Sequence, residues 1–394
     1  MDELGPLAEL YILLIIVYLI DCIRWVGRAS VCLRSFVPGS WHFVAPWQIA
    51  TQWRRALAFT APWPPLGALH VIDGLPVLMG PEGITFADPH PGGWSRPGAS
   101  SLHVPWSEVS RVKLVDGELC VDGKPRVVLG TRRMANSLSA LLSELAEARP
   151  ARRPALIEKY LEKRWDTSEI RARRRVWRTW GTPLGVASNL LFVVVFGGTG
   201  AVLFTSLGRY WLFVLAAGVL LWLVTAVMWH LAAIRVLPPG IRPSWGRFVL
   251  TVITPVSLVR GADEIRAELY GELEPGAVAL EYLSGDALRQ YARWTVAELM
   301  FPLEPADGPA AAQAIRDEEW LRQKRLDLAR TAFARANVDL DTQREVVPTG
   351  GTRAWCPRCQ TQYAVPAPTC SNCPGVPLWS APQVETQVAS SGSH

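Results

Sequence analysis

The chain has 394 residues, enough for two or three folded units. Its apolar residues, 49% of the total, are gathered into uncharged runs while the remainder is rich in Arg, Pro and Gly, which excludes a single soluble globule. The net charge of +5 is carried almost wholly by Arg and is what the inside-positive bias of membrane-protein loops produces, so it is weak evidence for a nucleic-acid partner.

The first apolar stretch, Leu10 to Ile20, is eleven residues long and extends to Leu7–Val26 if Glu9 and Asp21 sit near headgroups. Asp2, Glu3 and Glu9 precede it, unlike the cationic start of a removable secretory signal, so residues 1–35 are expected to be a retained anchor with a basic flank. Two placements stay open, a tilted span and a helix lying in the membrane plane.

Residues 36–180 have a different texture. Pro76–Met79, Gly83–Phe86, Leu102–Val104, Val109–Val115, Glu118–Val121 and Arg126–Leu129 are short apolar segments between turn residues, with hairpin signals at Asp116-Gly117 and Asp122-Gly123. Met134–Ala148 then places Leu138, Leu141, Leu142 and Leu145 at helical spacing. The VPWSEVSRVKL strand, the two tight hairpins and the amphipathic helix together resemble bacterial pleckstrin-homology-like domains over roughly residues 66–148. The resemblance implies a role in lipid or protein contact, without the basic cluster between the first strands that would mark a phosphoinositide site. Among the histidines of this region, His42, His70, His90 and His103, no metal-like spacing occurs.

Arg171, Arg173, Arg174, Arg175 and Arg178 come next, a basic cluster that serves as a topology signal and can also attract anionic headgroups, at about 1 kcal/mol per cation. Residues 181–237 read as a transmembrane helical hairpin. Leu184 to Leu207 carries no charge, Tyr210 to Ile234 holds only His230 besides the tyrosine, and Gly208-Arg209 is too short a link for anything but two antiparallel helices. Trp177, Trp180, Tyr210 and Trp211 flank the runs as interfacial anchors, Pro238 and Pro239 stop the second helix, and Gly197, Gly198, Gly200 and Ala201 form a small-residue patch. His230, close to one end, fits an interfacial structural role. All basic flanks fall on one side, which places residues from about 30 to 180 and from 236 onward in the cytoplasm and the hairpin in the cell's inner membrane.

Beyond the hairpin, Phe248 to Val259 is too short to cross a bilayer and fits a membrane-surface or re-entrant piece or the core of a helical unit. Residues 260–300 read as two or three short helices with breaks at Pro275 and Gly285. Pro309 to Asn337 reads as one long, mostly solvated helix, ending a membrane-proximal helical region over 238–340. A linker over 341–354, a cysteine module over 355–380 and a disordered tail over 381–394 complete the chain.

The module is Cys356-Pro-Arg-Cys359, ten residues, then Cys370-Ser-Asn-Cys373. Two C-x2-C turns presenting four thiolates satisfy the tetrahedral demand of zinc with no open position. The spacing resembles the short zinc ribbons, although Gln360 and Pro374 stand where such knuckles usually carry Gly, and Pro has no N–H to offer sulfur. Two disulfides would be unusual in a reducing cytoplasm, and rubredoxin-like iron sites separate their motifs further. A closed four-thiolate site cannot polarise a substrate, so the zinc expected here is structural and the module acts by contact.

No H-E-x-x-H, G-x-S-x-G, P-loop or dinucleotide fingerprint is present. The sequence therefore suggests an α-helical membrane protein of two to three transmembrane helices with a small α+β cytoplasmic domain, a helical cytoplasmic arm and a C-terminal zinc ribbon. Such a chain would be a non-enzymatic adaptor whose partners are the bilayer and a protein bound at the ribbon. The alternative is a subunit of a membrane enzyme or transporter that uses the hairpin. Nucleic acid fits poorly, because residues 353–380 hold only Arg353 and Arg358 as cations.

Overall fold

A computed structural model describes residues 5–28, 31–37, 40–44, 68–71, 77–86, 88–89, 95–96, 102–115, 118–122, 124–128, 131–253, 258–299, 308–344, 351–356, 361–365, 367–371 and 378–380. The protein is mostly helical, with small antiparallel sheets.

Helix α1, Gly5–Arg28, leads into strands β1, Val31–Val37, and β2, Ser40–Val44. With β3, Ala68–Val71, they form a three-stranded sheet of order β2-β1-β3. This sheet was not expected from the sequence, where Arg24, Arg28 and Arg34 read only as a basic flank. A second sheet joins β4, Val77–Met79, β5, Gly83–Phe86, and β8, Leu102–Pro105, with the two-residue pair β6, Asp88–Pro89, and β7, Ser95–Arg96, between them. A third joins β9, Val112–Val115, β10, Glu118–Val121, and β11, Lys124–Val128, in the order β11-β10-β9. The expected strands are therefore in place as two small sheets. Asp122 takes φ +54 at the turn after β10, and its Oδ1 accepts from the Ser110 and Arg111 amides.

Helix α2, Arg132–Glu147, closes this unit by laying Leu138, Leu141, Leu142 and Leu145 on a core of Val77, Met79, Ile84, Trp106 and Leu119. Thr131 caps it by accepting from the Met134 amide at 3.2 Å. A second cap comes from far along the chain, where the Glu268 carboxylate accepts from the Arg132 and Arg133 amides at 2.9 and 3.1 Å. Helix α3, Arg153–Arg164, adds Leu156, Ile157 and Leu161 to the same core.

Helix α4, Thr167–Phe192, starts at Asp166, whose side chain accepts from the Ser168 and Glu169 amides, and it runs on through Pro183. It continues as a π-helical turn, Val193–Gly198, and helix α5, Thr199–Phe204. The 3-10 turn Ser206–Tyr210 reverses the chain into α6, Trp211–Val236. These two helical arms are long and apolar enough to cross a membrane. Their outward face is bare hydrocarbon, with Leu212 61%, Phe213 74% and Leu220 63% exposed.

The glycine patch serves two neighbours. A Cβ on Gly198 would come within 3.2 Å of Val214 on α6, and one on Gly200 would lie 2.6 Å from the Tyr11 hydroxyl of α1. That hydroxyl donates to the Phe196 carbonyl in the π-turn at 2.6 Å. Tyr11 also meets Phe204, while Tyr18 meets Phe196 and Phe192, so α1 runs antiparallel alongside the first arm and not across it.

Helix α7, Trp245–Ile253, turns Trp245, Val249, Leu250 and Ile253 outward and stacks Phe248 on Trp229 and His230 at the base of α6. Three short helices follow as expected: α8, Gly261–Tyr270, α9, Pro275–Tyr282, and α10, Gly285–Leu299. Helix α11, Pro309–Ala334, is present but is not the solvated arm that its composition suggests. Ala314, Asp317, Glu318, Leu321, Arg325, Ala329 and Phe333 are buried, because the helix is wedged between the sheet unit, which Leu321 joins, and the helical core around Phe333. Its charges are tolerated by pairing: Arg325 donates to Glu274 at 2.6 Å, Arg164 reaches the same carboxylate at 3.2 Å, and Arg322 bonds Glu318.

Candidate functional site

The cysteine module is a third kind of unit. Strand β12, Ala354–Trp355, pairs with β13, Gln362–Tyr363, on one edge and with β14, Trp379–Ser380, on the other. The Arg353 amide donates to the Tyr363 carbonyl at 2.9 Å and the Cys356 amide to the Thr361 carbonyl at 3.0 Å, so the β12–β13 pairing extends to Cys356. Cys356 and Cys370 are both buried. Tyr363 ties the second C-x2-C to this hairpin: its hydroxyl lies 3.1 Å from Cys370 Sγ and 3.0 Å from Ser371 Oγ, and it accepts from the Ser371 amide at 3.0 Å. Burial, and then the bond to Cys370, push the Tyr363 phenol above its ordinary pKa.

Cys359 and Cys373, the other two expected ligands, lie outside the described residues, as do the tail 381–394 and part of the linker. Among the described residues no three metal-ligating side chains come together. Cys356, Cys370, Tyr363 and Leu378 belong to the same contiguous core as Phe333, Val338 and Leu340, so the module is continuous with the body by way of the segment after α11.

The five arginines before the hairpin are divided by the structure. Arg171 pairs with Glu281 at 2.7 Å, and Arg173 is buried, donating to Glu169 at 2.7 Å, to the Leu269 carbonyl at 2.6 Å and to Glu272. Arg174 bonds the Glu281 carbonyl and lies over the Tyr282 ring, whereas Arg175 and Arg178 are exposed. Three of the five thus fasten α4 to α8 and α9. Burial alone would raise the Glu272 carboxyl, but the hydrogen bonds from Arg133 and Arg173 outweigh it and hold it below the usual range.

A junction that the sequence did not reveal sits where α11 meets β4, β5 and β8. Thr85 Oγ1 and His103 Nδ1 are 2.9 Å apart, Asp317 Oδ2 lies 3.8 Å from the same nitrogen, and Gln313 donates to Asp317 Oδ1 at 3.0 Å. Asp317 presses on the turn after β4, where a Cβ on Gly80 would overlap its carboxyl group. Burial, reinforced by Glu82, drives the Asp317 carboxyl up to about 6. Burial, with Arg316 nearby, lowers His103 against smaller opposing effects of Glu108 and Glu82. Thr85 and Asp317 both address Nδ1 while Nε2 packs against Gly83, so the histidine is not threaded between a base-bearing and a nucleophile-bearing partner. The grouping is a packed polar joint, with the acid and the imidazole both favoured neutral.

Comparison of the chain with protein-family models, with curated proteins and with solved structures finds no match.

Proposed function

We propose that the protein is a membrane-anchored, non-enzymatic interaction protein whose cysteine module holds a structural zinc ion and contacts a protein partner. The observation that carries this reading is the exposed hydrocarbon face of the α4–α6 hairpin, which in water would cost about 25 cal/mol for each Å2 of apolar surface left wet and in a bilayer costs nothing. The antiparallel course of α1 beside the hairpin supports a third span, and the outward Trp245, Val249, Leu250 and Ile253 of α7 suit a helix lying at the interface. The Arg-rich flanks favour a cytoplasmic body at an inner membrane. For the module, Cys356, buried just after β12, and Cys370, buried and held to β13 through the Tyr363 hydroxyl, suit a four-thiolate zinc site, with Cys359 and Cys373 as the remaining donors. The two small sheets closed by α2 support the pleckstrin-homology-like reading of the first domain.

A second reading, a subunit of a membrane enzyme or transporter, draws on Ser188, Asn189 and Thr225, which are buried within the hairpin. Their donors go to backbone carbonyls, with Asn189 bonding Gly185 and Thr225 bonding Leu221 one turn back along their own helices. This is the ordinary way such side chains are housed in apolar helices. The discriminating experiment is affinity capture from solubilised membranes with the intact chain and with a chain ending at Arg344, a cut that spares the buried Val338 and Leu340. Loss of partners with retention in the membrane fraction is expected. Full retention of every partner by the shortened chain would sink the adaptor reading and favour the hairpin as the working part.

A further inference from the structure

One side chain joins the two halves of the cysteine module. Tyr363 is fixed from the first half: it stands opposite Ala354 in the β12–β13 register, and its carbonyl accepts from the Arg353 amide at 2.9 Å. Its hydroxyl crosses to the second half and meets three groups there. Cys370 Sγ lies at 3.1 Å, Ser371 Oγ at 3.0 Å, and the Ser371 amide donates to the phenol oxygen at 3.0 Å. A phenol has one proton to give and accepts on the same oxygen. With the amide on the accepting side, that proton has two candidate receivers, the sulfur and the serine oxygen. A zinc-bound cysteine is a thiolate, which has no proton to offer and only accepts. A charged acceptor makes the stronger bond, so the phenol proton belongs on Cys370 Sγ, and the Ser371 hydroxyl can turn to donate to the phenol oxygen.

Resting on the zinc reading above, we propose that Tyr363 is a positioning residue of the metal centre, whose O–H donates to the Cys370 thiolate, fixes that ligand and draws charge from it. Four thiolates around a dication leave a net negative charge, and residues 353–380 hold only Arg353 and Arg358 as cations to offset it. Backbone donors are short as well. Pro374, directly after the second C-x2-C, has no N–H to give, and the Cys356 amide is spent on the Thr361 carbonyl. A hydroxyl brought in on β13 supplies a donor from the side. Because it is carried by the hairpin that also carries Cys356, it ties a ligand of the second pair to the strand that holds the first.

The test uses the full-length protein in detergent, loaded with cobalt(II) in place of zinc, as the intact chain, Tyr363→Phe and Ser371→Ala. A proton donated to sulfur lowers the energy of its lone pair, so loss of that proton moves the thiolate-to-cobalt charge-transfer band to longer wavelength. Tyr363→Phe, which keeps the ring, should show this shift while the d–d bands of tetrahedral cobalt stay in place, and should give up zinc to a competing chelator about tenfold more readily. Ser371→Ala keeps both the Tyr363 hydroxyl and the backbone amide and should leave the band where it is. An unmoved band in Tyr363→Phe would overturn the proposal even with weaker zinc binding, because loosened packing alone accounts for weaker binding. A shift to shorter wavelength in Ser371→Ala would overturn it too, by showing that the phenol proton had gone to the serine. An intact chain with no thiolate-to-cobalt band would instead sink the zinc reading itself and the proposal with it, and elemental analysis of the chain as isolated checks that reading separately.

Discussion

Replacing Asp317 by Asn should make the protein more stable at neutral pH, although it deletes a charge lying 3.8 Å from a histidine. The carboxyl is raised from 3.8 to about 6, so the folded protein takes up a proton between about pH 6 and pH 4 that the unfolded chain does not. Stability contributed by this group therefore rises as pH falls through that window, and above it the full penalty for holding a buried carboxylate applies. Because a tenfold change in proton affinity is worth about 1.4 kcal/mol, the penalty is about 3 kcal/mol before solvent screening and about 1–2 kcal/mol after it. Asn keeps the oxygen that accepts from Gln313 and offers an amide to His103 Nδ1. His103, whose pKa is lowered, acts in the opposite direction, losing stability as pH falls, but does so in both proteins, and their difference isolates the carboxyl. Thermal unfolding in detergent at pH 5, 6, 7 and 8 should show the variant ahead by about 2 °C or more at pH 7 and 8, with the gap reduced to about half by pH 5. Amide exchange in β5, β8 and α11 should slow in step. A variant that is less stable at pH 7 by the same margin would refute the reasoning, because it would mean that Asp317 is ionised and paired with a charged His103.

Gly80→Ala should destabilise the same joint by about 1–3 kcal/mol, since the new methyl would overlap the Asp317 carboxyl, and denaturant titration measures it. Cys356→Ser and Cys373→Ser should each abolish the bound zinc, expected near one equivalent by elemental analysis, while leaving the helical circular dichroism of the body intact; iron in place of zinc would defeat the assignment. Tags placed within residues 90–100 and at the C-terminus should both resist external protease in intact cells, and cleavage of either would reverse the inside-positive orientation.

The parts of the fold legible in the sequence are those determined by nearest neighbours. The hairpin was readable because its runs carry no charge, and the strands from Val77 to Val128 because Asp-Gly pairs punctuate them. Strands β1 and β2 were not, since Arg34 and His42 interrupt their apolar pattern. The burial of α11 was hidden for a deeper reason. Asp317, Glu318 and Arg325 look like a solvated face until their partners are known, and Glu274, which accepts from Arg325, lies 51 residues away. The cysteine pattern was plain, yet the role of Tyr363 as the tie between its two halves depends on the hairpin register. The bond from Arg133 to Glu272 was invisible for the same cause, because its partners are 139 residues apart and neither stands out alone.

The helix that begins at Thr167 does not stop at the edge of the body to which it is fastened. Its α, π and α portions of 26, six and six residues make one strut of about 57 Å. The near end is fastened to α8 and α9 through Arg171, Arg173 and Arg174, and the far end runs beside α1 and α6. A strut anchored in this way converts tilt into displacement: rocking it by about 10° about its midpoint would carry either end about 5 Å sideways. Bilayer thickness is among the things that set helix tilt. On the proposed membrane reading, a change in bilayer thickness that tilted this strut would shift the body fastened to its near end.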